Sequence, residues 1–362
     1  MAEESNLQFG MEMELVLAHC IVDQLNGTTK YASDQEIRTL LLEQFQAAYL
    51  LAYESPFSSR HDHRYWGITY DASIGYMPDG SGEGIEIKTP IMVDGSFDYE
   101  NTFETVWNII QPLMVSYIEQ WKNCSTHIHF SYKNHEEFPL RRAQLLVFSA
   151  IYFEAAIDDL NPGMPHLSDR KRPGGWKSCS WARSNTVREA GGSPKLDLRS
   201  IWRAIRKTKT LKELHLLVCW DDDTHRREMN LHMKYFKWNL KGLDYKTIEF
   251  RQMSPSRSAH ECLNWINFTR GFVTRTACLD SAQLKRAEKG EIAFAEAMGM
   301  GLGESRREDV MRQEDTWGAG DTGQSVWHLR VFMGDIKPGF WEGMMSMRDQ
   351  LYSELENLNY GP

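Results

Sequence analysis

The sequence predicts an α+β fold. Four separated segments alternate polar and apolar residues with the period of a strand, and stretches between them space their apolar residues like helices. The whole is ordinary globular material: 362 residues, 41% hydrophobic and 25% charged, enough for one large domain with elaborations.

Taken in chain order, Gln8 to Ala18 reads as a strand. Ser33 or Asp34 caps a helix that runs to about Tyr53, because both residue types accept from the orphan N–H groups of a first turn. Tyr65 to Asp71 is a strand. Pro78-Asp79-Gly80-Ser81-Gly82 is a turn, and a strand from Gly84 to Lys88 follows it. Asn101 to Lys122 has helical apolar spacing, and Ser125 to Tyr132 returns to alternation. Leu140 to Leu160 is a strong helix stopped by Asn161-Pro162-Gly163. Pro165 to Pro194 is rich in Gly, Pro, Ser and Arg. It is long for a plain loop, and loops of that length are often functional. Leu198 to Val218 is helical with a basic face, Tyr245 to Met253 is a strand, and Ser258 to Cys278 is helical. Beyond Leu279 the chain is helical, charged and rich in Met and Gly. The expected organisation is therefore a main domain over 1–279 and a helical C-terminal extension over 280–362.

Charge and cysteine usage exclude several classes. A net charge of −9 argues against a general nucleic-acid binder, which needs a basic footprint. The six cysteines are scattered with no CxxC pair, which excludes a zinc finger and a disulfide framework. A reducing compartment, the cytoplasm, is the expectation. The N-terminal residues lack the basic and apolar regions of a signal peptide. The most apolar run, Leu145 to Ile157, is interrupted by Glu154 and too short to span a bilayer.

The four strands share a division of labour. Phe9, Met11, Met13 and Leu15 occupy one face of the first, and Gly10, Glu12 and Glu14 the other. Its two carboxylates project side by side, about 7 Å apart along the strand. Glu86 opposes Ile85 and Ile87, His127 and His129 oppose Ile128 and Phe130, and Glu249 and Arg251 oppose Ile248 and Phe250. Each strand alone reads as half of a solvent-facing sheet. Together they form a polar face of carboxylates, paired histidines and one arginine. Paired carboxylates repel unless cations lie between them, and Glu, His and Glu together can bind divalent metals.

Zinc can use two histidines on one strand, but the surplus of carboxylates favours a hard cation. Mg²⁺ bridges protein carboxylates to substrate phosphates, and a nearby arginine suits a transferring phosphoryl group. The set fits nucleotide chemistry without a P-loop. Gly80-Ser81-Gly82-Glu83-Gly84 lacks the Lys-Ser/Thr step, and Gly299-Met300-Gly301-Leu302-Gly303 is equally weak.

These residues resemble the amidoligases, carboxylate–amine ligases related to glutamine synthetase and glutamate–cysteine ligase. The resemblance runs from about Leu7 to Met253. It rests on Phe9-Gly10-Met11-Glu12-Met13-Glu14, Tyr70-Asp71-Ala72-Ser73, Glu86-Ile87-Lys88-Thr89-Pro90, and Cys124-Ser125-Thr126-His127-Ile128-His129. It continues through Tyr235 to Asn239-Leu240 and Thr247-Ile248-Glu249-Phe250-Arg251. It implies a curved, mainly antiparallel sheet backed by helices, with ATP and Mg²⁺ (Mn²⁺ as a substitute) on a concave polar face. It implies one ion among Glu12, His127 and Glu249 and another at Glu14 and Glu86, with Asp71 or Glu83 close by. His129 and Arg251 would face the ATP phosphates, and Asn239 the nucleotide or substrate. Two departures stand out. A Ser-Thr pair precedes His127 where many relatives have a Gly-rich step, and Lys88-Thr89-Pro90 replaces an apolar-small-Pro turn. Lys88 shares the polar face, within reach of substrate or phosphate.

The activity implied is amide formation through an acyl phosphate. A substrate carboxylate takes the γ-phosphoryl group, steadied by Arg251, and an amine then displaces phosphate. The acid is an amino acid, a peptide side chain or another metabolite, and neither nucleic acid nor membrane is a partner. Arg183, in the irregular basic segment with Arg170, Lys171, Arg172 and Arg188, can clamp a carboxylate, since arginine pairs with it bidentately. Cys179 reads as an ordinary thiol, and the basic face around Arg199, Arg203, Arg206, Lys207 and Lys209 as a solvated helix surface. Two rivals share these residues: a two-metal amidase or phosphatase, and a non-catalytic nucleotide- or metabolite-binding protein.

Overall fold

The computed structural model describes residues 7–18, 20–22, 29–31, 33–54, 64–70, 74, 82–93, 99–115, 124–133, 137–161, 185, 197–219, 236–240, 242–243, 246–300, 310–311, 326–334 and 336–359. They fall in two compact units, Met1–Lys133 with Met253–Ile266, and Asn134–Gln252 with Asn267–Pro362. The fold is mixed α+β with a mostly antiparallel open sheet and helices. Among the described residues no helix is long and apolar enough to cross a membrane.

In the first unit the long strand β1 (Leu7–Ala18) carries the architecture. The short hairpin β2 (Cys20–Val22) and β3 (Thr29–Tyr31) follows it, and then α1 (Asp34–Ala47). Next come β4 (Ala52–Glu54), β5 (Trp66–Tyr70), β6 (Gly82–Lys88), β7 (Met92–Val93), α2 (Tyr99–Ile110) and β8 (Thr126–Tyr132). The sheet order is β4-β5-β6-β1-β8. Only β4 and β5 run parallel among these neighbours. On one edge β1 pairs first with β7 and then with β6. Between the two partners, Thr89 N–H donates to the Met11 carbonyl and the Thr89 hydroxyl accepts from Met11 N–H, both at 2.9 Å. The Thr89 backbone and hydroxyl thus satisfy both backbone groups of Met11 between the two partner strands.

The apolar face of β1 packs as its alternation requires. Phe9, Met11, Met13 and Leu15 are buried, with Ile68, Ile85, Ile87, Ile128 and Phe130 from neighbouring strands. Ile37, Leu41 and Phe45 of α1 and Phe103, Val106 and Trp107 of α2 belong to the same core. Edge-to-face contacts join Phe45 to Trp66, Trp66 to Phe103 and Phe9 to Tyr99. At Gly82 a Cβ would lie 2.9 Å from the Leu17 carbonyl oxygen and 2.8 Å from Val16 Cγ1, so the β1–β6 approach there needs glycine.

The expected helices are shortened, each for a local reason. Ser33 caps α1 with a reciprocal Glu36 contact, as expected, but the helix stops at Ala47 rather than near Tyr53. Tyr49 takes a left-handed φ of 58°, Leu50 N–H bonds back to the Phe45 carbonyl and Tyr49 N–H to that of Gln46. This is a Schellman closure with tyrosine where glycine is usual, and the freed residues form β4. The helix from Asn101 stops at Ile110 rather than Lys122, because Pro112 cannot continue it.

The second unit is largely helical. It holds α3 (Leu140–Tyr152), α4 (Glu154–Leu160), α5 (Leu198–Lys207), α6 (Leu211–Val218), β9 (Trp238–Asn239) and most of β10 (Ile248–Met253). After it come the C-terminal part of α7 (Ala259–Ala277), then α8 (Ser281–Glu288), α9 (Phe294–Ala297), α10 (Val326–Met333) and α11 (Phe340–Asn359). The helix expected over Leu140 to Leu160 breaks at Phe153, whose ring packs on Tyr152 and Phe332. The helix expected over Leu198 to Val218 breaks at Thr208, and Thr210 caps a new one by accepting from Glu213 N–H. The unit's core is aromatic. Phe148 meets Trp202 and Phe294, and Trp238 meets Phe250 and Phe272. Phe294 and Phe332 come from the segment beyond Leu279.

Candidate active site

Register places the charges of three strands side by side. Across the ladders, Glu12 faces Lys88 of β6 and His127 of β8, while Glu14 faces Glu86 and Gly10 faces His129. Directly opposed side chains on one face have Cβ atoms about 5 Å apart, so the six polar residues form one cluster. Lys88 Nζ lies 2.7 Å from Glu86 Oε2 and 3.6 Å from Glu12 Oε1. Glu12 Oε2 lies 3.5 Å from His127 Nδ1 and 3.3 Å from His129 Nε2. Thr69 Oγ1 donates to Glu86 Oε2 at 3.2 Å. The face is only partly open to solvent: Glu14 is 7% exposed and His127 2%, while Glu12, Glu86, Lys88 and His129 are half-buried.

Three carboxylates against one ammonium leave two negative charges if both imidazoles are neutral. The ionisations carry that imbalance. Burial, then the Glu12 carboxylate, push the Glu86 carboxyl up to about 8 against the pull of Lys88. Burial also opposes the charge of Glu12, but His129, and after it Lys88, hold its carboxyl well below the usual range. For Lys88, burial disfavours the ammonium, yet Glu12 and Glu86 outweigh it and raise the pKa. Carboxylate oxygens and imidazole nitrogens around an unbalanced negative charge are the donor set a divalent cation needs.

The second unit holds another constellation. Asn239 of β9 donates to Glu249 Oε2 of β10 at 2.6 Å, and Arg251 pairs with Glu249 Oε1. All three are buried. Immediately before β9, Lys237 is 3% exposed and reaches Glu154 at 2.9 Å and Asp158 at 2.6 Å. Gln252 donates to the same Asp158 at 2.6 Å, and Arg251 N–H to the Lys237 carbonyl at 2.8 Å. Lys237 and its acids thus anchor the β9–β10 pair that presents Asn239, Glu249 and Arg251.

A family model described as "Putative amidoligase enzyme" matches residues 5–273. The chain belongs to the amidoligase family. A search of curated proteins finds no match. Among solved structures, this amidoligase is similar to a bifunctional glutathione synthetase from Pasteurella multocida, with a TM-score of 0.36 and 11% identity. That likeness covers 97% of this chain and 53% of the synthetase, so the chain spans about half its length.

Of the expected site residues, the amidoligase brings Glu12, Glu14, Glu86, Lys88, His127 and His129 together in the first unit, and Asn239, Glu249 and Arg251 in the second. Asp71, Arg183, Cys179, Arg170, Lys171, Arg172 and Arg188 lie outside the described residues, as does the Glu83 side chain. The basic helix face is engaged within the chain, since Arg203 and Arg206 both pair with Glu288. Sequence reasoning missed Thr69, Thr89, Ser125, Asn185 and Lys237. Asn185 pairs with both backbone groups of Trp238, at 2.8 and 2.9 Å. Only Ser125 and Thr89 carried a signal, as the departures from the family's usual turns.

Proposed function

We propose that this amidoligase is an ATP- and Mg²⁺-dependent ligase that joins a carboxylate to an amine through an acyl phosphate. The observation that carries the reading is the cluster of Glu12, Glu14, Glu86, His127 and His129, half-buried to buried, in which Lys88 pairs with Glu12 and Glu86. Mg²⁺, or Mn²⁺ in its place, supplies charge neutralisation of a triphosphate when bound. Glu12, His127 and Glu249 would hold one ion, and Glu14 and Glu86 another, with Asp71 or Glu83 as a further candidate there. Arg251, held by Glu249, steadies the phosphoryl group as the substrate carboxylate takes it. His129, Lys88 and Asn239 orient the nucleotide, and Arg183 clamps the acid.

The reading extends to a glutamine-synthetase-like and glutamate–cysteine-ligase-like architecture, with catalysis assigned to 1–279 and 280–362 serving as an extension. The partners are small-molecule or peptide acids and amines rather than nucleic acid or membrane, in a cytoplasmic setting.

A screen of ADP release with Mg²⁺, candidate acids and amines tests it, with hydroxylamine to trap the acyl phosphate. Release should require acid and nucleophile together and fall about 100-fold or more in Glu12→Gln and Arg251→Ala. Unchanged release in both variants sinks the assignment. Hydrolysis without nucleotide would establish the two-metal hydrolase instead.

A further inference from the structure

Ser125 precedes β8 and sits between two members of the cluster. Its hydroxyl oxygen lies 2.6 Å from Glu14 Oε2 and 2.6 Å from His127 Nε2. Its backbone N–H also donates to Glu14 Oε2, at 2.8 Å, and its carbonyl accepts from Glu14 N–H at 3.0 Å. A serine hydroxyl has one proton to give and two lone pairs to receive with, while an ionised carboxylate only accepts. Oε2 already takes the Ser125 N–H, so it serves as an acceptor here. At 2.6 Å from an oxygen that already acts as acceptor, the serine proton lies toward Oε2. The second short contact must then run the other way: His127 Nε2 carries a hydrogen and donates to Oγ.

We infer that Ser125 is a positioning residue that fixes neutral His127 as its Nε2–H tautomer and leaves Nδ1 as the nitrogen that meets a divalent cation. Nδ1 lies 3.5 Å from Glu12 Oε2, so two lone-pair-bearing atoms converge on one point, an arrangement a cation relieves. The same network occupies Glu14 Oε2, which leaves Oε1 for a metal. Ligating histidines are commonly oriented through the ring nitrogen opposite the metal, and here a hydroxyl relays that role from a carboxylate. The tautomer assignment stands on hydrogen-bond geometry alone; its consequence for metal binding rests on the function proposed above.

Histidine ¹⁵N NMR of the full chain without metal, at about pH 8 where an ordinary imidazole is neutral, reads the tautomer directly. His127→Gln assigns the signals. Wild type should show His127 protonated at Nε2 and bare at Nδ1. Ser125→Ala should lose that preference and bind Mn²⁺ about 10- to 100-fold more weakly by calorimetry, whereas Ser125→Thr, which keeps the hydroxyl, should retain both. An Nδ1–H ring or an imidazolium in wild type overturns the inference. An unchanged tautomer in folded Ser125→Ala overturns it as well. The expected tautomer without Mn²⁺ binding upholds the role of Ser125 and refutes the metal site instead.

Discussion

Lys88 stands where two carboxylates converge. Its ammonium contacts Glu86 and Glu12 on neighbouring strands, and its side chain is only about a quarter exposed. Removing one partner of a poorly solvated ion pair leaves the remaining charges uncompensated, which costs about 3 kcal/mol. Lys88→Met should therefore lower unfolding free energy in urea by that order, and equal stability would mean the lysine does not hold the carboxylates together. The identities of the charged residues were readable from the strand pattern. Their partners were not. Alternation assigns a side chain to a face, whereas the pairing of Glu12 with Lys88 and His127 depends on the register of strands up to 115 positions apart.

At the scale of elements, caps decide where helices begin and end. Asp197 caps α5 by accepting from the Ser200 backbone and hydroxyl, at 2.9 and 2.8 Å. Burial works against its charge, but those bonds hold its carboxyl below the ordinary value. A group depressed in the folded state adds stability that is full above its unfolded pKa of about 3.9 and lost as pH falls through the folded value. Asp197→Asn keeps a capping oxygen and loses the ionisation. Urea midpoints measured from about pH 5 down to about pH 2 should thus fall less steeply in the variant than in wild type. Identical slopes would show that Asp197 contributes nothing to acid sensitivity. The helix ends also show what local reading can reach. Thr210 with Glu213 is a capping pattern visible in the sequence and passed over, and Pro112 announces the end of α2. No residue type announces the break at Phe153, or the tyrosine that closes α1 in a left-handed turn.

For the molecule as a whole, the first unit's interior mixes aliphatic and sulfur-bearing side chains with aromatic rings, and the second's is built on interlocked aromatic rings. Lys237 is the main charged element near the second core, with Glu154 and Asp158 as its counterions. Lys237→Met should cost about 3–5 kcal/mol by removing the ammonium that faces both acids, measured by equilibrium denaturation. Adding Glu154→Gln and Asp158→Asn should recover much of that loss, and a loss that persists undiminished would point to packing rather than charge. The sequence alone determined the strand and helix character of most segments, the apolar face of the sheet and the residues that bear charge opposite it. Those properties are written in side chains a few positions apart. Tertiary structure alone decided that Glu14 and His127 of the polar face are buried, that Thr89 completes the ladder and Ser125 bridges Glu14 to His127, and that Lys237 anchors β9. Each depends on residues brought together from distant parts of the chain, where burial sets the strength of every charge and hydrogen bond.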